Sequence, residues 1–383
     1  MAKKSSKKTA KTDPTAAGKP VVEQRLERLR ERIRAAEVDA LLIQNLVNIN
    51  YLTGFAGSHG LLIVDGEAAR LVTDGRYWEI AEGLLAESGS SARIVAEPKG
   101  GKDEFFKDLF KDLGYGKLGF EGSLSVDAFD KLKERTTGAK TKLAKVSGQV
   151  EELRQVKDAG EIKAIRKAAK VADQMMEVAF QNIRSGVREW EVSLAIRRAA
   201  EDLGVRGESF TNIVASGPNA SRPHHSPGKR KMKKGDMVTV DLGAVVDGYC
   251  SDLTRNPVIG KASRDYEKMY AACLDANEAV IKACRAGAIC RELDAMAREI
   301  VKSHGFPDFN HGLGHAVGME IHESPRFSAD TNEDVKLVPG NVMTIEPGIY
   351  VPGFGGVRIE DLVVVEEGGC RVLSKSPKEL RVL

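Results

Sequence analysis

The segment HGLGHAVGMEIHE, from His311 to Glu323, holds three of the seven histidines of this 383-residue chain. Its central histidine, His315, lies four residues after His311 and seven before His322. A lone histidine on an apolar face belongs more often to a core than to a metal site. Clustering among glycines makes His315 a candidate metal ligand if carboxylates elsewhere complete the site.

The segment from Met237 to Thr254 supplies the first two carboxylates. Two β-type runs flank Asp247-Gly248, which is a strong signal for a tight hairpin turn. With that pair at the tip, residue 241 faces residue 254, so Asp241 and Asp252 share one face of the hairpin. Two carboxylates on an apolar hairpin are unfavourable unless a positive charge lies between them. The alternative is a pair of exposed strand carboxylates.

A second pair of carboxylates follows the histidine segment. Glu346 ends a strand-like run before Pro347, and Glu360 is embedded in the β-branched run from Val357 to Val365. Two Asp, two Glu and one His suit Mn²⁺, Co²⁺, Fe²⁺ or Zn²⁺. Four carboxylates exceed what one ion needs, whereas two ions about 3.5–4 Å apart activate a shared water for hydrolysis. An adjacent glutamate would accept the proton of that water.

The composition is that of an ordinary globular chain, with 42% apolar and 30% charged residues. The net charge of +3 is too small to imply a polyanionic partner. Five cysteines without a CxxC pair indicate reduced thiols and a cytoplasmic location. No apolar run approaches the roughly 20 residues of a membrane span, and the N-terminus lacks the apolar core of a secretory signal. We therefore expect neither a nucleic-acid nor a membrane partner.

Three segments are predicted along the chain. Residues 1–20 form a Lys-rich tail that is too poor in apolar side chains to fold, and it is predicted to be disordered. Its lysines could alternatively tether nucleic acid or membrane, although no aromatic residues are interleaved with them. Residues 21–150 mix apolar runs with amphipathic stretches and predict an α/β domain. Residues 151–383 predict an α+β domain.

Finer predictions concern local structure. Five strands are expected in the first domain, at residues 40–43, 61–64, 70–73, 92–96 and 117–120. The stretch from Tyr51 to Phe55 is expected to be a surface loop. At the start of the second domain, Asp158 is predicted to cap a long helix together with Glu161.

These residues resemble the M24 metallopeptidase family. The segments VDLGAVVDGYCSDLTR, HGLGHAVGMEIHE, TIEPGIY and GVRIEDLVVV occur in the family's order. The resemblance implies an α+β pita-bread (creatinase/aminopeptidase) catalytic domain, preceded by a smaller α/β creatinase-type N-terminal domain. It also implies two divalent ions, Mn²⁺ in the first place with Co²⁺ or Zn²⁺ as alternatives. Their ligands would be Asp241, Asp252, His315, Glu346 and Glu360.

The same resemblance implies individual roles around these ions. Asp252 and Glu360 would bridge or chelate, and Glu346 would be the general base. His322 would donate to the carbonyl oxygen as it becomes tetrahedral. His311 and Arg358 would line the proline side of the cleft. Arg358 could instead do no more than pair with carboxylates and hold the strands.

Within the family, the segment SGPNASRPH that ends at His224 is similar to a loop of Xaa-Pro peptidases. That loop implies a catalytic histidine at the substrate. His224 is preferred to His225 because it lies seventeen residues before Asp241, as the loop requires. His225 would then be a loop neighbour. A proline-containing peptide is the implied substrate.

The first domain refines the subtype. The segments YLTGFAGS, from Tyr51, and TDGRY, ending at Tyr77, resemble the creatinase-type domain of Xaa-Pro aminopeptidases. They favour an aminopeptidase over a prolidase, which is restricted to dipeptides, and they argue against methionine aminopeptidase. A homodimer is implied as well. A metal-free binding module is a further alternative, but such relatives lack ligands that are present here.

Overall fold

This computed structural model describes residues 19–205 and 207–383 of the chain. These residues fall into two compact units, divided between Leu153 and Arg154. The Lys-rich tail predicted at residues 1–20 lies outside the described residues, apart from Lys19 and Pro20. No described helix combines the length and apolar character that a membrane span requires. The five cysteines are free thiols.

The first unit contains a mixed sheet of six strands flanked by helices. Its helices are α1 (Val21–Ala35), α2 (Leu46–Thr53), α3 (Trp78–Ser88), α4 (Lys102–Leu113) and α5 (Val126–Thr136). Its strands are β1 (Ala40–Ile43), β2 (Leu61–Asp65), β3 (Ala69–Asp74), β4 (Arg93–Glu97), β5 (Lys117–Phe120) and β6 (Lys142–Lys145). The strand order is β4-β3-β2-β1-β5-β6, with β1–β2 and β2–β3 antiparallel and the other neighbours parallel.

The five predicted strands are confirmed, but the predicted surface loop is wrong. Tyr51 belongs to α2, and both Tyr51 and Phe55 are buried. The Asn45 side chain accepts a hydrogen bond from the Val47 amide at 2.8 Å and thereby caps the helix start. Gly54 ends the helix at φ 80°, a left-handed conformation that glycine adopts without strain. Gly54, which lies inside the segment predicted as a loop, is therefore a helix C-cap.

The second unit combines long helices with several small sheets. After α6 (Glu151–Arg154), which spans the boundary, its helices are α7 (Ala159–Asn182), α8 (Glu189–Asp202), α9 (Arg264–Ala283) and α10 (Cys290–Ser303). The first six strands are β7 (Ile213–Ser216), β8 (Val238–Leu242), β9 (Val245–Val246), β10 (Tyr249–Cys250), β11 (Leu253–Arg255) and β12 (Gly314–Ala316). The remaining strands are β13 (Glu323–Phe327), β14 (Val342–Ile345), β15 (Gly348–Val351), β16 (Gly355–Arg358), β17 (Asp361–Glu366) and β18 (Gly369–Val372).

Two of the apolar cores in this unit support its larger sheets. One lies between α7, α8 and the three-stranded sheet β11-β8-β7, and includes Met175, Ile196 and Val240. The other lies between α9, α10 and the five-stranded sheet β13-β12-β14-β17-β18, and includes Met269 and Val363. Strands that carry the predicted ligands therefore rest on helix-backed sheets. The predicted capping box of α7 is confirmed, since Asp158 and Glu161 each accept from the other's backbone amide.

Candidate metal centre and substrate cleft

The hairpin formed by β8 to β11 brings the two aspartates together. Asp247 (φ 51°) and Gly248 (φ 81°) form its tip, and Asp241 faces Thr254 as predicted. Positive φ at both central residues matches the twist of the flanking strands. Asp241 and Asp252, together with Glu360, each offer an oxygen within 4.8 Å of the others. The predicted sharing of one face is confirmed.

The two glutamates and the histidine arrive from the five-stranded sheet. Glu346 directly follows β14, Glu360 lies between β16 and β17, and His315 is the middle residue of β12. The Nε2 atom of His315 lies 3.6 Å from Asp252 Oδ2 and 3.4 Å from Glu346 Oε1. Thr254 Oγ1 donates to Glu360 Oε2 at 2.7 Å. All five side chains proposed as ligands therefore converge in the second unit.

The carboxylates of this cluster are suited to bind cations. Asp241 Oδ1 and Glu360 Oε1 are buried and have no hydrogen-bond partner within the described part of the chain. Burial, and the negative charges of neighbouring carboxylates, raise the pKa of Asp252 and of Glu360 well above their usual range. Burial likewise raises the pKa of Glu346 to about 7. Unsatisfied buried oxygens and raised pKa values fit side chains built to bind divalent cations.

His315 also meets the requirement for a ligand. Burial and the neighbouring His322 lower the pKa of His315 to about 4. The imidazole is then neutral near pH 7, and a neutral imidazole carries the free ring nitrogen that binds a metal. Its Nδ1 lies 3.2 Å from the Ala316 carbonyl oxygen, which leaves Nε2 directed at the carboxylates.

Arg358 pairs with carboxylates, which was the alternative role considered for it, and it also lines the cleft. Its Nη2 lies 2.6 Å from Asp241 Oδ2, and its Nε lies 3.9 Å from Glu346 Oε2. Its Nη1 donates to the Tyr350 hydroxyl at 3.0 Å. Tyr350 was not singled out from the sequence, although it ends the TIEPGIY segment four residues after Glu346. Its hydroxyl also lies 2.9 Å from His311 Nε2.

A cavity of about 450 Å³ opens beside the five converging side chains. It is lined by all of them, by Arg358, and by the three histidines proposed to meet substrate, His224, His311 and His322. His322 is exposed, and its ring centroid lies 4.5 Å from that of His315. Burial and the charge of Arg358 lower the pKa of His311 to about 4, so His311 is neutral near pH 7.

The two adjacent loop histidines differ in their surroundings. His224 is exposed, whereas the His225 ring is largely buried and lies 2.9 Å from Glu189 Oε2. Both histidines line the cavity, and the choice of His224 as the histidine that faces substrate stays a prediction. Glu189 and Arg326, a further cavity-lining residue, were not found from the sequence, because neither belongs to a segment with a recognisable spacing.

Two family models match this chain. The model for metallopeptidase family M24 matches residues 163–367, and the model for the creatinase/prolidase N-terminal domain matches residues 25–156. The chain belongs to metallopeptidase family M24. The first match contains every residue proposed above as a metal ligand or as a contact of the substrate.

Relatives within family M24 match the chain along nearly its whole length. The chain is 35% identical over 362 residues to the Xaa-Pro dipeptidase of Pyrococcus furiosus, a match that covers 94% of this chain and 100% of that relative. The structure of an Xaa-Pro dipeptidase from Bacillus anthracis has a TM-score of 0.89 at 36% identity, with 94% of this chain and 100% of that chain covered. The X-Pro aminopeptidase from Thermotoga maritima has a TM-score of 0.84 at 32% identity, with 94% and 100% covered.

These matches identify the chain as a hydrolase, a metallopeptidase of the Xaa-Pro dipeptidase or aminopeptidase type. They also confirm the predicted fold class, a pita-bread catalytic domain preceded by a creatinase-type N-terminal domain. Family M24 enzymes depend on divalent metal, and the carboxylate cluster described above could hold it.

Proposed function

We propose that this M24 enzyme hydrolyses the bond between an N-terminal residue and a following proline, with the Xaa-Pro dipeptide as its preferred substrate. The observation that carries this proposal is the convergence of Asp241, Asp252, His315, Glu346 and Glu360 beside a cavity lined by four further histidines. An Xaa-Pro bond has a tertiary amide without an N–H and a fixed ring. A dedicated cleft is therefore needed to accept it.

The five converging side chains would hold two divalent ions, with Mn²⁺ preferred because four of the five ligands are carboxylates. Such ions, when bound, polarise a carbonyl oxygen and lower the pKa of water. Co²⁺ and Zn²⁺ also suit a donor set of carboxylates with one imidazole. The orphaned oxygens of Asp241 and Glu360 support this assignment.

The other cavity-lining groups act on substrate and protons. Glu346 would accept the proton of the attacking water, and Thr344 Oγ1, 3.1 Å from Glu346 Oε1, would orient that carboxylate. His322 would donate to the scissile carbonyl oxygen as negative charge develops there. His224 would contact the substrate from the loop that follows β7. His311, held by Tyr350, would line the proline side together with Arg358.

Arg326 favours the dipeptide over longer peptides. This exposed arginine lines the cavity, and no carboxylate among residues 19–205 and 207–383 forms an ion pair with it. A dipeptide presents its terminal carboxylate right beside the proline, and a free guanidinium matches a carboxylate in charge and geometry. The name of the Pyrococcus furiosus relative agrees with this choice. The aminopeptidase alternative is supported by the TDGRY segment and by the Thermotoga maritima neighbour.

Chain-length selectivity tests the dipeptide proposal. Protein stripped with a chelator and reloaded with Mn²⁺ is offered Ala-Pro and Ala-Pro-Ala separately, and alanine release is followed. We expect kcat/KM to be higher for Ala-Pro. Arg326→Met should lower it by about 10–100-fold for Ala-Pro, mainly through KM, since a hydrogen bond to a charged group contributes about 1.5–3 kcal/mol.

Arg291→Met is a matched control, because Arg291 forms an exposed ion pair with Glu333 and does not line the cavity. It should leave both rates unchanged. Equal cleavage of the two peptides would favour the aminopeptidase. An Arg326→Met enzyme that keeps the preference for Ala-Pro would contradict the role given to Arg326.

We further propose a homodimer and a cytosolic location. Trp78 and Ile80 of α3 are 47% and 53% exposed, and large apolar side chains that face solvent favour an interface. The five free cysteines support a reducing compartment. Light scattering coupled to size exclusion should give twice the chain mass of 41.5 kDa. A single-chain mass that persists at micromolar concentration would contradict the dimer.

A further inference from the structure

The first residue of α8, Glu189, is a fully buried carboxylate that accepts five hydrogen bonds. Its Oε1 accepts from the Ser216 amide at 2.8 Å, from Ser216 Oγ at 2.7 Å and from Asn219 Nδ2 at 2.9 Å. Its Oε2 accepts from the Gly228 amide at 3.1 Å and lies 2.9 Å from His225 Nε2. This number of donors is large for one carboxylate, which offers about four lone-pair sites.

These donors all belong to the segment between residues 216 and 228. Ser216 ends β7 and begins the segment, Gly228 lies at its other end, and Asn219 and His225 lie between them. The carboxylate therefore fixes both ends and the middle of one loop from the neighbouring helix. Burial alone would raise the pKa of Glu189, but the hydrogen bonds from Asn219, His225 and Ser216 lower it. The carboxylate is ionised near pH 7 and acts as an acceptor only.

His224 lies within this loop and reaches the cavity beside the carboxylate cluster. The next residue, His225, has its ring fixed by Glu189, and its amide donates to the Arg222 carbonyl oxygen at 3.2 Å. The preceding residue, Pro223, accepts from Arg358 Nη1 at 3.4 Å. The backbone of His224 is thus held between two buried charged groups, of which Arg358 belongs to the cleft and Glu189 does not line it.

We propose that Glu189 is a positioning residue that sets the location of His224 relative to the scissile bond. This inference rests on the proposed function, in which His224 contacts the substrate. Glu189 does not meet the substrate itself, and its effect on turnover passes through the loop. A small displacement of a substrate-contacting group lowers the rate steeply, by up to about 10²-fold for 1 Å.

A double-mutant cycle in the full chain loaded with Mn²⁺ tests this role. The variants are Glu189→Gln, His224→Ala and the double substitution, assayed for kcat and KM with Ala-Pro. Glutamine keeps the size of the side chain, but its amide nitrogen cannot accept from His225 or Gly228. We expect Glu189→Gln alone to lower kcat/KM by about 10–100-fold. In the His224→Ala background the same substitution should change kcat/KM by less than about 3-fold, because coupled residues are not additive.

Two controls separate positioning from general destabilisation. Bound manganese should remain at the wild-type level in Glu189→Gln. Glu121→Gln removes another buried carboxylate, one that accepts from the Gln44 and Asn45 amides at 2.7 and 2.8 Å in the first unit, and it should leave kcat/KM unchanged. If Glu189→Gln does not fold, His225→Leu removes one donor while the carboxylate keeps the others. Its effect should likewise disappear in the His224→Ala background.

The outcomes are distinct. Equal losses from Glu189→Gln in the wild-type and His224→Ala backgrounds would overturn the positioning role and leave the proposed function intact. Loss of manganese from Glu189→Gln would also overturn it, since the carboxylate would then support the metal centre and not His224. A wild-type enzyme that does not cleave Ala-Pro would instead remove the proposed function.

Discussion

Replacing Arg358 by methionine tests how the negative charge of the centre is compensated. The Arg358 side chain is buried, with Nη2 2.6 Å from Asp241 Oδ2 and Nε 3.9 Å from Glu346 Oε2. Arg358→Met removes this cation and leaves both carboxylates without it. Removing one partner of a buried ion pair costs about 3–5 kcal/mol, because the remaining charge stays buried and uncompensated.

The length of the second unit determines how far this loss of free energy of unfolding lowers the melting temperature. For a unit as long as Arg154–Leu383, about 1 kcal/mol corresponds to roughly 2–4 °C. Arg358→Met should therefore lower Tm by roughly 6–20 °C in the presence of a chelator. Thermal unfolding followed by circular dichroism measures it. With Mn²⁺ in excess the decrease should be smaller, because bound divalent ions would compensate the same carboxylates.

Arg381→Met is the control for this experiment. Arg381 Nη1 lies 2.6 Å from Glu177 Oε2, but the two side chains are 38% and 47% exposed. An exposed pair contributes only about 0–1 kcal/mol, and Mn²⁺ should not alter its effect. Arg358→Met protein that melts within about 2 °C of the wild type in chelator would refute the reasoning. So would a decrease that is the same with and without Mn²⁺.

Three further predictions concern the site and the first unit. His322→Ala should lower kcat by about 10²–10³-fold at unchanged manganese content, and loss of the metal would contradict its role as a carbonyl donor. Asp252→Asn and Glu360→Gln should each abolish turnover and reduce the content of bound manganese, which elemental analysis measures. A variant that keeps both its activity and its manganese would show that the replaced carboxylate is not a ligand. Burial alone would raise the pKa of Asp65, but hydrogen bonds from Tyr115 and the backbone lower it to about 2. The ionised group therefore stabilises the fold above its unfolded pKa of about 3.8, and this contribution is lost as pH falls towards 2. Asp65→Asn should be less stable to urea than the wild type at about pH 7, and the difference should shrink below about pH 4, whereas a constant difference would contradict the assignment.

The sequence was sufficient to predict features that depend on residues close to one another in the chain. The Asp247-Gly248 pair fixes the hairpin register, and the register fixes which residues share a face, so the proximity of Asp241 and Asp252 was predictable. The helix cap at Asp158 follows from side chains three residues apart. Such features depend on neighbours in sequence, which the sequence displays directly.

Features that depend on the folded chain were missed. Helix α2 is short, and its position is decided by packing and by Asn45, so the stretch from Tyr51 to Phe55 was wrongly predicted to be a loop. The order of the mixed sheet arises from pairing between distant strands. Glu189 looks like an ordinary acidic residue in the first turn of a helix, where the macrodipole favours it. Its contacts with the loop of His224 arise only when α8 and that loop are brought together.

The most direct test of the central claim is alanine release from Ala-Pro by the purified wild-type protein, before and after removal of metal. The proposed function predicts activity that disappears with the chelator, returns with Mn²⁺, and is much weaker on Ala-Ala under the same conditions. Cleavage of Ala-Pro by the fully stripped protein would contradict the metal centre. No cleavage of Ala-Pro by protein with manganese bound would contradict the Xaa-Pro assignment.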